Sequence, residues 1–210
     1  MNQIFDFFLQ AYQNTPTYQI ALEAIAFVFG IASVWYAKNE NILVYPTGII
    51  CTVITVYLLY INQYFGDMMM NFYYSIMSVF GWWNWSRKKG DSTAVPISRT
   101  NFREKIIGLG LFFLTLLVTY AVYIAFDYTI ALPNYIDIVT SGIFFTAMWY
   151  MANKKIENWT LWIVGDLITI PLYAYRGLGM LSLQYLIFTV LAIYGYRSWR
   201  KSLNNTLQIV

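Results

Sequence analysis

The sequence predicts an all-α integral membrane protein with seven transmembrane helices in a 3+1+3 parallel repeat. Three observations carry that prediction. Of 210 residues, 59% are hydrophobic and only 11% charged, against roughly 25% charged residues in an ordinary soluble domain. Apolar runs of about twenty residues, enough to cross a bilayer's hydrocarbon core, recur seven times between short polar breaks. Spans one to three also share a residue pattern with spans five to seven. Seven spans leave no room for a second domain, so residues 1–210 read as a single transmembrane unit.

The first seventeen residues carry no positive charge and no small-residue cleavage pattern, so a short interfacial helix or a frayed tail is expected there rather than a signal peptide. The spans follow at 20–37, 42–61, 68–85, 106–126, 136–152, 159–175 and 178–196. Residues 20–85 form a first three-helix repeat, 106–126 a connecting helix and 136–196 a second three-helix repeat. The polar stretch 86–105 is the one candidate linker. Span four carries no polar stripe and reads as lipid-facing or packing surface. Pro171 inside span six is expected to kink it and free backbone carbonyls.

Orientation follows from Lys and Arg, because basic loops stay in the cytoplasm. Twelve of the 13, from Lys38 to Lys201, fall on one side of the seven spans, and Arg176 alone on the other. The N-terminus is therefore expected outside and the C-terminus in the cytoplasm, in a bacterial inner membrane. The net charge of +3 is then a topology signal, and no nucleic-acid partner is expected. Most of the eight tryptophans, all in the inner half, are expected in an interfacial belt.

The repeat shows as constant spacing. Glu23, Trp35 and Tyr36 recur as Asp137, Trp149 and Tyr150, and Gly81 and Trp85 as Gly195 and Trp199. A slightly longer loop in the second half would place Asn41 and Gly48 on Asn158 and Gly165, and so Ile42 and Tyr45 on Trp159 and Trp162. Two such bundles place a small-molecule site between them, near the midplane.

Helical spacing identifies what would line that site. Trp159, Trp162, Asp166, Thr169 and Tyr173 form one stripe on span six, and Asp67, Asn71, Tyr74, Ser78 and Trp82 another on span three. Span two adds Tyr45, Thr52 and Thr55; span seven adds Gln184 and Tyr194. Asp166 lies seven residues after Trp159, roughly 10 Å along the helix at 1.5 Å per residue. A carboxylate at that depth costs on the order of 2.5 to 3.5 kcal/mol, and no Lys or Arg stands at its level. It should face a cavity, or else hydrogen-bond nearby Ser, Thr or backbone groups. Aromatic walls with an unpaired carboxylate suit a flat cationic or electron-poor ring, held by stacking and cation–π attraction. Asn71 and Gln184 could then bond hydroxyls or an amide. The candidate substrate-binding set is Trp159, Trp162, Asp166, Tyr173, Asn71, Tyr74, Gln184, Tyr45 and Thr52.

Several chemistries are excluded. The chain has no histidine and one cysteine, Cys51, which removes a disulfide framework, a Cys/His zinc site and any histidine triad. No catalytic residue, metal ligand or cofactor is expected. A membrane-embedded enzyme would have only scattered carboxylates to use. A retinal protein would need a lysine in the last span, which has none, and no Gly-x-x-x-x-Gly-Lys motif supports ATP-driven pumping.

The run IENWTLWIVGDLITIPLYAYRG, with FGWWNWSRKK and YGYRSWRK closing the two halves, resembles the Pnu family of vitamin transporters over about residues 23–201. The resemblance implies a three-plus-one-plus-three layout similar to the sugar-transporting SWEET proteins. It implies facilitated diffusion of unphosphorylated nicotinamide riboside across the lipid bilayer for NAD biosynthesis, with trapping by a cytoplasmic kinase. Assembly as a homo-oligomer is compatible with it, and a sister branch carries thiamine instead. Trp159 and Trp162 match the family's substrate-binding motif. Asn71 and Gln184 fall at its amide positions, Asn71 standing where a longer Gln is expected.

Overall fold

An apolar run in a bilayer satisfies its backbone polar groups internally only as a helix, and helices are what these runs form. The computed structural model describes residues 15–61, 65–89, 92–93, 95–125, 131–175 and 179–208. Seven helices lie among them: α1 (Thr17–Lys38), α2 (Val44–Ile61), α3 (Phe65–Ser86), α4 (Phe102–Ala125), α5 (Leu132–Ala152), α6 (Glu157–Tyr175) and α7 (Gly179–Gln208). The linker after α3 also forms a two-residue antiparallel pair, β1 (Lys88–Lys89) with β2 (Ser92–Thr93). The expected N-terminal interfacial helix, through residue 14, and the Arg176 turn lie outside the described residues. Helices α1, α2, α4 and α7 are each long and apolar enough to cross a membrane.

Hydropathy locates the membrane, not the helix ends, and α7 shows the difference. It continues to Gln208, well past the expected end at 196, because RSWRKSLNN loses apolarity without a Gly or Pro to stop it. Caps set other ends. Asn101 and Glu104 close α4 reciprocally: the Glu104 amide donates to Asn101 Oδ1 at 2.9 Å, and the Asn101 amide to Glu104 Oε2 at 2.8 Å. Helix α6 runs through Pro171 to Tyr175.

Six helices form a closed ring. In order around it, α1 packs on α2, α2 on α3, α3 on α5, α5 on α6, α6 on α7, and α7 back on α1. Helix α4 stands outside and packs on α5, where Thr146 Oγ1 donates to the Gly108 carbonyl at 3.2 Å. Its other faces present Leu109, Phe113, Leu117 and Val118 outward.

The turns at α1–α2 and α5–α6 are alike bond for bond. The amides of Glu40 and Asn41 donate to the Ala37 and Tyr36 carbonyls, and those of Lys154 and Lys155 to Met151 and Tyr150. This is the Schellman closure. Glu40 and Lys154 occupy its left-handed position, at φ 53° and 50°, where glycine is usual. The next helix then starts with Tyr45 donating to the Ile42 carbonyl, and Trp159 to that of Ile156. The spacing is 114 residues throughout, as between Glu40 and Lys154. The expected longer second loop is thus absent, and Trp159 corresponds to Tyr45 rather than to Ile42.

The packing repeats that correspondence. Tyr45 lies over Gly81 and edge-on to Trp85, at 5.1 Å and 87°. Trp159 lies over Gly195 and edge-on to Trp199, at 5.5 Å and 89°. A Cβ on Gly195 would come within 2.6 Å of the Trp159 ring, so only glycine admits the indole. The belt expectation is corrected here. Trp85, Trp159 and Trp199 are core residues, while Trp35, Trp82 and Trp83 remain exposed.

Candidate functional site

Inside the ring, four helices bring aromatic side chains into one continuous series. From α3, Tyr73 stacks on Phe145 of α5 at 3.8 Å and 8°, and its hydroxyl donates to the Phe145 carbonyl at 3.0 Å. Tyr74 lies 6.3 Å from Phe145 and 6.2 Å from Trp162 of α6. Trp162 stacks on Phe144 at 5.3 Å and 26°, and Phe144 on Tyr185 of α7 at 6.1 Å and 23°. Tyr185 then meets Tyr173 at 5.3 Å and Phe188 at 6.2 Å. Such pairs contribute about 0.5–1.5 kcal/mol each beyond burial. Phe144 is seated on Gly165, where any side chain would overlap its ring.

Asp166 is on the Trp162 face of α6, one turn further along. It is 2% exposed, and among the described residues no Lys or Arg pairs with it. Two hydroxyls on these helices are committed elsewhere: Thr169 Oγ1 donates to the Gly165 carbonyl and Thr189 Oγ1 to that of Tyr185, each at 2.8 Å. Across the ring, Ser75 Oγ donates to the Asn71 carbonyl at 3.0 Å. It also lies 2.7 Å from Thr52 Oγ1, which itself donates to the Ile49 carbonyl at 3.3 Å.

The 114-residue correspondence shows why the site is lopsided. Gly48 corresponds to Trp162, Thr52 to Asp166 and Gly30 to Phe144. Each bulky or charged member stands in the second half, so that half supplies both stacking surface and charge.

The sequence-derived set divides accordingly. Trp162, Tyr74 and Tyr173 join the aromatic series, with Asp166 beside it, and Asn71 and Gln184 are half-buried on α3 and α7. Tyr45 and Trp159 are not with them. At 1% and 2% exposure in the basic end of the bundle, neither ring has free surface in this conformation. Thr52 is tied to Ser75, and Thr55 Oγ1 donates to the Cys51 carbonyl at 2.8 Å. Trp82 and Tyr194, expected to line the site, are exposed. The Asp67 side chain lies outside the described residues.

Sequence reading missed Tyr73, Phe144, Phe145 and Tyr185. A search for polar stripes passes over aromatic ones, and the signal available was the Phe-Phe pair of span five at ring depth.

A model of the nicotinamide mononucleotide transporter family matches residues 20–201. Among curated proteins, the chain is similar to the nicotinamide riboside transporter PnuC of Escherichia coli (strain K12), with 24% identity over 205 residues, 86% of this chain and 85% of that one. It is also similar to the nicotinamide riboside transporter PnuC of Neisseria mucosa, with 27% identity over 194 residues, 86% of this chain and 72% of that one. Among solved structures, it is similar to the crystal structure of the vitamin B3 transporter PnuC, with a TM-score of 0.69 and 26% identity over 88% of this chain and 82% of that one.

Proposed function

Because the chain belongs to the nicotinamide mononucleotide transporter family and is a multi-pass membrane protein, we propose that it imports nicotinamide riboside by facilitated diffusion. One observation carries the reading: the ring of helices encloses Tyr74, Phe144, Trp162, Tyr173 and Tyr185 beside Asp166, a buried carboxylate without a cation partner among the described residues. The pyridinium ring of nicotinamide riboside is flat and positively charged. It would stack on Trp162 and meet both the ring quadrupoles and the carboxylate. Asn71 and Gln184 would bond the carboxamide and ribose hydroxyls, Thr52 would border the ribose, and Trp159 and Tyr45 would form the floor.

Charge selects between the nucleoside and its phosphate. No Lys or Arg occurs at the level of Asp166 in any helix, so a phosphate dianion would be buried beside a like charge with nothing to pair it. The family is named for the mononucleotide, the two curated relatives for the riboside; the interior favours the riboside. A cytoplasmic kinase would hold the gradient inward by adding the excluded phosphate.

The layout in this reading is a single domain of two three-helix repeats, α1–α3 and α5–α7, with α4 as the connecting helix, so that both halves point the same way. The end bearing Lys38, Arg87, Lys154 and Arg200 is cytoplasmic in a bacterial inner membrane, by the bias of basic residues.

Labelled nicotinamide riboside should enter proteoliposomes of the purified protein and stop at the outside concentration. No uptake overturns the assigned substrate. Accumulation driven by a proton gradient, and lost in Asp166→Asn, overturns passive transport.

A further inference from the structure

Among the described residues, the side-chain bonds that cross the α1–α7 and α3–α5 seams concentrate at the basic end. Lys154 Nζ reaches Glu40 Oε2 at 3.4 Å, with Lys154 only 3% exposed, and Ser202 Oγ donates to Glu40 Oε1 at 3.1 Å. Trp199 Nε1 donates to the Ala37 carbonyl at 2.9 Å, and Asn84 Nδ2 to that of Ala152 at 3.0 Å. Between them Tyr45, Trp85, Trp159 and Trp199 pack ring against ring in a single buried layer. Two partners of the ion pair are themselves the left-handed residues of the twin turns, so the pair joins the equivalent points of the two halves.

The same layer is incompletely satisfied. Tyr45 Oη, Trp85 Nε1, Trp159 Nε1 and Asn158 Oδ1 are buried without a hydrogen-bond partner among the described residues. Trp199 bonds across the seam, whereas Trp85, its counterpart, makes no matching bond to Met151. Buried polar atoms without partners disfavour a closed arrangement, and water would satisfy all four on opening. The closed layer is therefore held by the cross-seam bonds against a standing cost, which is how a two-state element is built.

Only one of the two turns is strapped by the linker. The linker segment at Ser98 bonds both sides of the α5–α6 turn: its amide donates to the Lys154 carbonyl at 3.1 Å, and the Ile156 amide donates to its carbonyl at 3.0 Å. Thr100 bonds Glu157, and Lys155 pairs with Glu104 at 2.7 Å. Among the described residues no linker segment bonds the α1–α2 turn, where Asn39, Asn41 and Leu43 are exposed.

We infer that the Glu40–Lys154 pair is the latch of a cytoplasmic gate whose plug is Tyr45, Trp85, Trp159 and Trp199, and that the gate opens by movement of the α1–α2 turn away from the strapped α5–α6 turn. This rests on the transport reading above. It gives Trp159 a sealing role distinct from ring stacking at Trp162.

The test places Glu40→Cys and Lys154→Cys in Cys51→Ser protein reconstituted in liposomes. Linking the two thiols with a short methanethiosulfonate cross-linker should cut nicotinamide riboside uptake about tenfold or more, with recovery on reduction, while its binding by calorimetry changes less than about threefold. Because linked and reduced protein are the same molecules, a folding defect cannot imitate the result. Uptake unchanged at full linkage, or thiols that do not link, overturns the latch. The charge exchange Glu40→Lys with Lys154→Glu should transport better than Glu40→Lys alone; a folded double variant no better than the single one also overturns it. If the unmodified protein fails to bind nicotinamide riboside, the transport reading has failed. If it binds and transports normally when linked, only the latch has.

Discussion

Trp162 and Trp159 stand three residues apart on α6 and meet different surroundings, a stacked Phe144 in one case and a sealed layer over Gly195 in the other. Trp162→Ala should weaken nicotinamide riboside binding by roughly 5- to 150-fold, or about 1–3 kcal/mol, as stacking and cation–π attraction are lost together. Trp199→Ala should instead lower stability by about 3–5 kcal/mol, because its indole is fully buried and donates to Ala37. Trp83→Ala, on an exposed ring, should change stability by less than about 0.5 kcal/mol. Thermal unfolding in detergent measures the last two, and equal losses at Trp83 and Trp199 would contradict the assignment. Depth along a helix is legible from hydropathy, but azimuth is not: a tryptophan at interface depth reads the same whether it faces lipid or a glycine. That is why Trp85 and Trp199 read as belt residues and Trp159 as a site residue.

At the scale of elements, the two turns carry different loads despite identical bonding. The strap across the α5–α6 turn depends on Lys155, which holds Glu104 and donates to Ser98 Oγ at 2.9 Å. Lys155→Ala should free the linker, so that trypsin cleaves at exposed Arg99 several times faster, on the order of the three- to tenfold expected when local opening becomes about 1 kcal/mol easier. Unchanged cleavage would contradict the strap. On α6, Gly165→Ala should drive Phe144 from its seat and reduce ligand affinity by about tenfold, a loss typical of a misplaced contact in a packed core. Seven helices were readable from apolar runs, and the likeness of the two turns from constant spacing. Helix ends were less so, since α7 continues on residues that leave the membrane without leaving the helix. The loop offset went astray because Asn41 and Gly48 resemble Asn158 and Gly165 in type alone, and only backbone bonds reveal that Glu40 and Lys154 share one position.

For the molecule as a whole, six helices in a ring create an interior, and the exchange of Gly48, Thr52 and Gly30 for Trp162, Asp166 and Phe144 gives that interior one aromatic, carboxylate-bearing wall. The polar members of that wall were visible in the sequence as stripes, the aromatic ones from α5 were not, because in a chain that is 20% aromatic one more Phe pair is no signal until it is seen to stack. In the proposed reading, passage of a cationic aromatic nucleoside and refusal of its phosphate would both follow from a wall of rings with one carboxylate that no Lys or Arg pairs among the described residues. Calorimetry on the detergent-solubilised protein tests that claim most directly, with nicotinamide riboside, its mononucleotide, thiamine and uridine as ligands. Nicotinamide riboside should bind most tightly, and the mononucleotide at least about tenfold more weakly, the equivalent of 1.4 kcal/mol from repulsion at Asp166. Tighter binding of the mononucleotide, or of thiamine, would contradict it.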